Sequence, residues 1–351
     1  MSPVSKLLVL DGIAAIPLGR EIADACREAG IEVCHFDCLQ ARRRPLHGVR
    51  SAWAKLHARA DDGDRFRVLP RLPDAMLQAL IDQERPSHIL VVGFVYKFFA
   101  PQTLRRLADR ADARLCLYDT DTCNLYDRRR EFIFFVENEL PAYHRILSCS
   151  AVTTRFFRNT CSLDAEFVPF GANPIAAVAN GPPLDVLFVG SCDLRRIFLL
   201  EGIREQVSIR GNRWQRNLPL ISPGLRQRVD DRPVWGEELH HLLARSRIVL
   251  NITRTDFHGA ETGINLRIFE ALAAGCFLLT DHCDELEELF APGEEIETYR
   301  SARELAEKVE HYLADDSARE AIARTGHANF LRRHTWNRRV ETQILPLLAA
   351  S

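Results

Sequence analysis

The sequence lacks several features that would place it in a large functional class. No apolar run approaches the ~20 residues that a membrane-spanning helix needs. Acidic and basic residues nearly balance, and the formal net charge of −2 argues against a nucleic-acid or anionic-membrane partner recognised by bulk charge. The apolar stretch Leu7–Leu10 stops at Asp11, too early for the core of a signal peptide. These absences predict a soluble protein with no transmembrane segment.

Paired cysteines are also absent. The 10 cysteines are scattered singly, without a CxxC motif, which fits a reducing, cytoplasmic compartment. Cys34 and Cys38 flank His35 and Asp37, but four groups so close on one strand end cannot all face one ion, so no metal site is predicted. Because only four of the 46 basic residues are lysine, a lone arginine is a weak indicator of a phosphate ligand.

The sequence does contain a repeated alternation of strand and helix signals. In the first half, strands are predicted at Leu7–Leu10, Ile31–Phe36, His88–Val92, Arg114–Tyr118, Arg145–Cys149 and Glu166–Pro169. Helices are predicted at Gly19–Ala29, Pro73–Glu84, Pro101–Arg110 and Thr153–Asn159, with helix and loop over Ala41–Asp64. Repeated strand–helix–strand units imply a parallel sheet with helices on both faces.

The alternation restarts after a turn-rich connection that begins at Phe170 and ends at Pro183. The next predicted strands are Leu184–Val189, Val207–Arg210, Ile248–Ile252 and Cys276–Thr280. The predicted helices are Leu194–Glu205, Gly236–Ser246, Cys283–Phe290 and Ala302–Leu313, followed by a helical tail broken near Gly326. The expected fold class is therefore α/β, with two Rossmann-like domains over residues 1–172 and 184–333 facing across a cleft.

Ligands of such sheets gather outside the carboxyl ends of the strands. In the first domain this rule selects the loops that begin at Asp11, Gly93 and Asp119. In the second domain Asn251 ends a buried strand and Arg254 follows it, so both are predicted to face a ligand. A cap for Asn251 and a solvated loop position for Arg254 are the alternatives.

The most informative segment is GINLRIFEALAAGCFLLTD, which begins at Gly263 and ends at Asp281. It predicts a glycine turn, a short helix, a glycine stop and a buried strand, with Asn265 at the helix start. Arg267 and Glu270 share one face near that start, where free N–H groups and the helix dipole attract an anion. A guanidinium for phosphate and a carboxylate for sugar hydroxyls suit a nucleoside diphosphate. A buried helix with a surface Arg–Glu pair is the alternative.

With DVLFVGS from Asp185, IVLNI from Ile248 and HTW from His334, this segment resembles glycosyltransferases of the GT-B fold. The group it resembles is the spore-maturation-type, or CgeB-like, one. The resemblance implies a nucleotide-sugar site in the second domain and the acceptor side in residues 1–172. It also implies a C-terminal helix over residues 334–351 that crosses back to the first domain.

The resemblance places Glu270 on the ribose and Arg267 on the diphosphate. Gly190 and Ser191 follow the first strand of the second domain, where these folds bring backbone close to phosphate. Many retaining members carry two glutamates separated by seven residues, and Glu270 corresponds to the later one. Here the earlier position is Thr262 and Glu261 is one residue out of register, so inversion or retention stays open.

Transfer from a nucleotide sugar requires stabilisation of the leaving diphosphate, which GT-B enzymes generally achieve with helix dipoles and cations. No DxD motif stands at the donor segment, so neither a metal nor another cofactor is expected. An inverting enzyme also needs a base. Asp119 and Asp121 lead the candidates, with a turn as the alternative, followed by Asp11. The loop histidine His258 is predicted to contact the sugar or the diphosphate, with a solvated side chain as the alternative.

Three other functions are alternatives to a glycosyltransferase. A nucleotide-sugar 2-epimerase would share the donor site, and a non-catalytic sugar-nucleotide-binding protein would share the scaffold. A dinucleotide oxidoreductase is disfavoured because no GxGxxG follows the first strand. The donor's base and sugar, the acceptor (saccharide, protein, lipid or small molecule) and the oligomeric state are left open by the sequence.

Overall fold

The chain forms two compact units, each built on a parallel sheet. The computed structural model describes residues 3–13, 16–53, 66, 68–120, 122, 128–176 and 178–350. One unit comprises Met1–Pro169 with Trp336–Ser351, and the other comprises Phe170–Thr335. Each contains a six-stranded sheet, which confirms the predicted α/β class with two Rossmann-like sheets. Within the described residues no helix combines the length and the apolar character required to cross a bilayer.

The first sheet has the order β2-β1-β3-β4-β5-β6. Its strands β1 to β6 are Lys6–Asp11, Glu32–Asp37, His88–Val92, Arg114–Asp119, Arg145–Ser148 and Ala165–Phe167. Helices α1 to α6 are Leu18–Glu28, residues 47–53, Asp74–Glu84, Pro101–Arg110, Arg129–Phe134 and Ala151–Asn159. Strand β3 is buried along its whole length, as expected where helices cover both faces of a parallel sheet.

The second sheet has the order β12-β11-β10-β7-β8-β9. Strands β7 to β12 are Leu184–Val189, Val207–Arg210, Val229–Asp230, Ser246–Asn251, Leu278–Asp281 and Glu297–Tyr299. Helices α7 to α11 are Leu194–Glu201, Pro223–Arg226, Gly236–Ala244, Thr255–Gly259 and Leu266–Ala273. Helices α12 to α14 are Asp284–Glu287, Ala302–Ala314 and Asp316–Arg333.

The C-terminal residues complete the first unit. Helices α15, Trp336–Arg339, and α16, Leu345–Ala349, are joined by a π-helix over Val340–Ile344. The buried Trp336 ring packs edge-on against Tyr118, with 6.2 Å between ring centroids. Its indole N–H donates to Glu21 of α1 at 2.9 Å, so the bulky side chain is both buried and hydrogen-bonded.

One sequence prediction about local structure is wrong. The C-terminal tail is not broken near Gly326, since α14 runs through it without interruption. The glycine is there because the carbonyl of Glu295 lies where a Cβ would be, 2.1 Å from its ideal position. Helix α5 begins at Arg129, and Glu131 within it is buried.

A fully buried acid lies behind α5. The helix continues as a π-helix over Phe135–Glu139, and the Glu139 side chain is 0% exposed. Its carboxylate accepts the N–H of Val95 at 2.9 Å, the N–H of Tyr96 at 3.1 Å and the hydroxyl of Tyr143 at 2.8 Å. Burial outweighs these bonds and raises the pKa of Glu139 to about 7.

The raised pKa of Glu139 makes stability depend on pH. The folded state binds the proton up to about pH 7, whereas the ordinary value is 4.5, so the free energy of unfolding falls as pH rises through that window. The full loss is about 3 kcal/mol. We expect Glu139→Gln to flatten this dependence when denaturant unfolding is compared at several pH values. A parent and variant with the same slope would show that the three hydrogen bonds keep the carboxylate ionised throughout.

The packing of Gly326 predicts that alanine destabilises a helix interior. Helix propensity favours alanine over glycine by about 1 kcal/mol. The Cβ would meet Glu295 backbone, so Gly326→Ala should instead lower the free energy of unfolding by about 1–3 kcal/mol. Gly48→Ala in α2 is the matched control, since no atom lies within 4 Å of its Cβ position. If both variants are equally stable in denaturant titrations, the close approach at Gly326 is wrong.

Candidate functional site

The predicted donor residues lie at one edge of the second sheet. Strands β7, β10 and β11 are neighbours and parallel, so their carboxyl ends meet there. Gly190 and Ser191 follow β7, Asn251 ends β10 and Asp281 ends β11. The structure thus brings together loops that are separated by up to 90 residues of sequence between Ser191 and Asp281.

A buried arginine joins two of these loops. Arg196 in α7 donates through Nε and Nη2 to the carbonyl of Ile252, at 3.0 and 2.6 Å. Its Nη1 donates to the carbonyl of Ser191 at 2.8 Å and to the Ser191 hydroxyl at 3.3 Å. Burial lowers the pKa of Arg196 to about 10, so the group stays protonated at neutral pH. Its guanidinium therefore fixes the β7 loop against the end of β10.

A buried carboxylate organises the loop after β10. Asp281 is 3% exposed and accepts the Thr253 N–H at 3.1 Å and the Thr253 hydroxyl at 2.9 Å. Arg195 pairs with the same carboxylate at 2.7 Å and also donates to the Thr253 carbonyl at 3.0 Å. Asp281 thus has its charge and lone pairs committed to the protein, and its contribution is to shape the loop.

Asn251 is turned toward the neighbouring strand. Its side-chain amide donates to the Thr280 hydroxyl at 2.9 Å, and it is 5% exposed. The Tyr299 hydroxyl donates to the Asn251 carbonyl at 3.3 Å. These bonds brace β10 against β11 and β12, so any contact of Asn251 with a ligand is made by a side chain already held in place.

The start of α11 is built by its own sequence. Asn265 caps the helix by accepting the Arg267 N–H at 3.1 Å, and its amide donates to the Gly263 carbonyl at 3.0 Å. A Cβ on Gly263 would lie 2.8 Å from the sulfur of Cys283 and 3.3 Å from the hydroxyl of Thr253. Glycine is therefore what lets the turn before α11 pack against the loops that follow β10 and β11.

Arg267 and Glu270 form an ion pair, the contact that the alternative interpretation of this segment predicts. Nη1 of Arg267 lies 2.7 Å from Glu270 Oε2, and the side chains are 19% and 21% exposed. The contact lacks the alignment of a hydrogen bond, and the buried Nε and Nη1 atoms have no hydrogen-bond partner within the described residues. The pair is therefore neither sealed in a core nor fully solvated, and two donors are left for an acceptor such as a phosphate oxygen.

The remaining cation and histidine lie on the surface of the same unit. Arg254 precedes α10 and His258 lies in its last turn, and both are exposed. The positive charge of Arg254 is close enough to contribute to the lowered pKa of Arg196. Positive charge at this edge of the sheet favours a negatively charged ligand nearby.

The position of the missing second glutamate is occupied differently. Glu261 is exposed, in a left-handed conformation with φ of 59°. Thr262 is 1% exposed, and its hydroxyl donates to the buried carboxylate of Glu285 at 2.5 Å. A carboxylate therefore does reach this position, but it comes from α12 and is held by Thr262, which sequence spacing does not reveal.

The base candidates of the first unit have different surroundings. Asp119 is 2% exposed and accepts bonds from the Thr122 hydroxyl at 2.5 Å and the Ser148 hydroxyl at 3.1 Å, with the geometry of the turn interpretation. Asp11 accepts the Ile13 N–H at 3.0 Å and lies 3.2 Å from Nε2 of His35. Asp121 lies outside the described residues. The Asp11–His35 contact was not predicted from the sequence.

Sequence analysis also missed Arg195 and Arg196. A signal was present, because both lie in the first turn of a helix, two and three residues after its capping residue Asp193. Cations are disfavoured at that end by the helix dipole, so two of them indicate specific partners. The abundance of arginine in this chain concealed the signal.

Comparison with known proteins gives a family match and a shared fold. Residues 195–344 match a family model described as glycosyl transferase-like. No curated protein matches the chain. Three similar solved structures are a sucrose-phosphate synthase from Thermosynechococcus elongatus, HepE from Anabaena in complex with UDP and glucose, and a glycosyltransferase from Rickettsia africae.

These structures align over nearly their whole length. The identities are 14%, 15% and 10%, and the TM-scores are 0.66, 0.63 and 0.60, in the same order. Each alignment covers 99% of this chain, and 100%, 100% and 99% of the three chains. At such identities the likeness shows the fold, which is that of GT-B glycosyltransferases. The resemblance to the CgeB-like group stays a prediction.

The two carbonyls held by Arg196 make a specific prediction. A lysine carries one ammonium group and cannot reach both Ser191 and Ile252 as the guanidinium does. We expect Arg196→Lys to lower the free energy of unfolding by about 1–3 kcal/mol, the cost of a buried polar group that loses its partner. Arg254→Lys, at an exposed position, is the control and should leave the thermal midpoint unchanged. Equal midpoints for the two variants would contradict the bridging role.

Proposed function

We propose that the protein is a cytoplasmic hexosyltransferase, of the CgeB-like group, that transfers a sugar from a nucleoside-diphosphate sugar without a metal or other cofactor. The observation that carries the proposal is the start of α11. Arg267 presents two buried donors without a hydrogen-bond partner, next to a carboxylate that is one-fifth exposed. The glycosyl transferase-like match over residues 195–344 includes both residues.

In the proposed reaction, the bond between the anomeric carbon and the diphosphate oxygen breaks, and a bond to the acceptor oxygen forms. The diphosphate gains negative charge as it leaves. The backbone at the start of α11, with the cations Arg267 and Arg254, would stabilise that charge, and such groups each contribute about 3 kcal/mol. Gly190 and Ser191 would supply backbone close to the phosphates, and Glu270 would accept bonds from ribose hydroxyls.

Arg267 and Glu270 neutralise each other in the free protein. A diphosphate would replace the poorly aligned carboxylate contact with directed hydrogen bonds to Nε and Nη1. That exchange would free Glu270 for the ribose. In the free protein the pair would hold both side chains in place. In the complex Arg267 would bind the diphosphate and Glu270 would bind the ribose.

The acceptor's proton must also leave. Asp119, Asp121 and Asp11 remain the proposed bases, and His35 is added because a histidine oriented by a carboxylate is a common general base. His258 would contact the sugar or the diphosphate. The acceptor is an unspecified saccharide, protein, lipid or small molecule. No observation favours the 2-epimerase alternative.

Donor binding tests the site. Since HepE has been solved with UDP-glucose, that sugar nucleotide heads a thermal-shift panel with GDP-, dTDP- and ADP-glucose and the free diphosphates. A matched donor at 100 times its Kd should stabilise the parent by about 2.7 kcal/mol. Arg267→Ala and Glu270→Ala should each abolish the shift while leaving the unliganded protein folded, and EDTA should not change it.

The control for these variants is Arg303→Ala. Arg303 is 88% exposed in the same unit and pairs with Glu307 across one helical turn, so it tests the loss of a surface ion pair alone. If both site variants bind donor like the parent, the site is misplaced. Release of nucleoside diphosphate that depends on an added acceptor separates a transferase from a protein that only binds the donor.

A further inference from the structure

A local excess of positive charge lies in the first unit. Residues 38–60, here called the basic segment, contain five arginines, one lysine and no acidic residue. The chain as a whole has a net charge of −2, so this is a feature of one segment. The structure describes the segment as far as Trp53, where α2 occupies residues 47–53.

One side of the segment is attached to the unit. Nε of Arg44 donates to the Leu72 carbonyl at 2.8 Å, and its Nη2 pairs with Asp74 at 2.8 Å. Nε2 of His47 lies 3.0 Å from the Leu69 carbonyl. Arg44 and His47 therefore point toward residues 69–74, and their contacts fix which side of the segment is turned outward.

The outward side is apolar and basic. Leu46 is 76% exposed, Val49 69% and Trp53 65%. Val49 and Trp53 are four residues apart and so lie on one side of α2, and Leu46 lies in the turn directly before the helix, with φ of 56°. Arg42, Arg43 and Arg50 are exposed beside them. These six residues are called the α2 face below.

Single exposed apolar residues are common on soluble proteins and require no explanation. Three large ones within eight residues, flanked by three arginines and with no acidic residue in the segment, form a different pattern. Aliphatic and indole groups enter the boundary of a bilayer, while guanidinium groups pair with phosphate headgroups. A nucleic acid would satisfy the arginines but would leave Leu46 and Val49 in water.

We propose that the α2 face docks the protein, reversibly and peripherally, on a bilayer surface rich in anionic phospholipid. Arg42, Arg43 and Arg50 supply attraction over the Debye length, and Leu46, Val49 and Trp53 supply apolar contact. Because neither contribution is large alone, binding requires both, as with other two-signal membrane anchors. The inference does not depend on the proposed transferase activity.

Vesicle co-sedimentation with the full chain tests this proposal. The probe vesicles are equal parts phosphatidylglycerol and phosphatidylcholine, compared with phosphatidylcholine alone. The parent should bind the anionic vesicles at least about tenfold more tightly, with binding that weakens as salt rises. The paired variant Arg42→Glu, Arg43→Glu and the triple variant Leu46→Ser, Val49→Ser, Trp53→Ser should each lose at least about tenfold in affinity.

Matched controls lie in the other unit. Arg303→Glu with Arg324→Glu reverses two charges whose side chains are 88% and 72% exposed, and Trp235→Ser removes an indole that is 51% exposed. These variants should bind like the parent. Trp53→Phe gives a second measurement, since it should keep binding but lose the blue shift of fluorescence that vesicles cause.

The proposal is overturned if the parent does not bind anionic vesicles or binds phosphatidylcholine equally well. It is also overturned if both α2-face variants, folded by circular dichroism, bind vesicles like the parent. A third contrary result is that RNA competes with vesicles and the triple serine variant still binds RNA and vesicles normally, since the face would then be a polyanion site without apolar contact.

Discussion

The guanidinium of Arg196 is the constraint on which the candidate donor site depends. It joins the carbonyl of Ser191 to the carbonyl of Ile252, and so fixes two loops that nothing in the local sequence aligns. Burying a cation is costly unless its donors are satisfied, and here three of its nitrogens have carbonyl partners. Burial lowers the pKa of Arg196, which reflects that cost. The hydrogen bonds that offset the cost hold the geometry of the site.

Around this cation, some groups of the site are hydrogen-bonded to neighbouring loops and strands, and others are not. Asp281 and Asn251 are buried and spend their hydrogen bonds on neighbouring loops and strands. Arg267 and Glu270 are only paired with each other, in a contact that is short but poorly aligned. A site that must exchange one partner for another requires both kinds of group, since a rigid rim positions the side chains that are free to change partner.

The first unit contains a buried acid and a cluster of cations on its surface. Glu139 is an acid held in the core with no cation in hydrogen-bond contact, and its burial favours the protonated form. On the surface of the same unit, the basic segment keeps cations together with no acid among them. The buried acid opposes the ordinary preference for paired or solvated charge, so a function or a strong structural need is expected there, whereas the described arginines of the basic segment are exposed or paired.

The sequence by itself determined the elements whose cause is local. Hydrophobic runs and helix signals predicted His88–Val92, Pro101–Arg110 and Leu184–Val189 with the observed bounds. They could do so because the apolar pattern and the start and stop signals of an element lie in consecutive residues. The segment from Gly263 likewise predicted its turn, its helix and the Arg267–Glu270 pair, since all of these depend on spacing within one turn of helix.

Only the tertiary structure decided what depends on contacts between distant residues. Gly326 looked like a helix break, but a carbonyl 31 residues away explains the glycine inside an intact helix. The contacts of Arg196 with Ser191 and Ile252, and of Thr262 with Glu285, join different loops, and the partners carry no mark in the sequence. The periodicity of a sequence predicts which side of a helix or strand is buried. It does not predict which atoms of other elements contact that side.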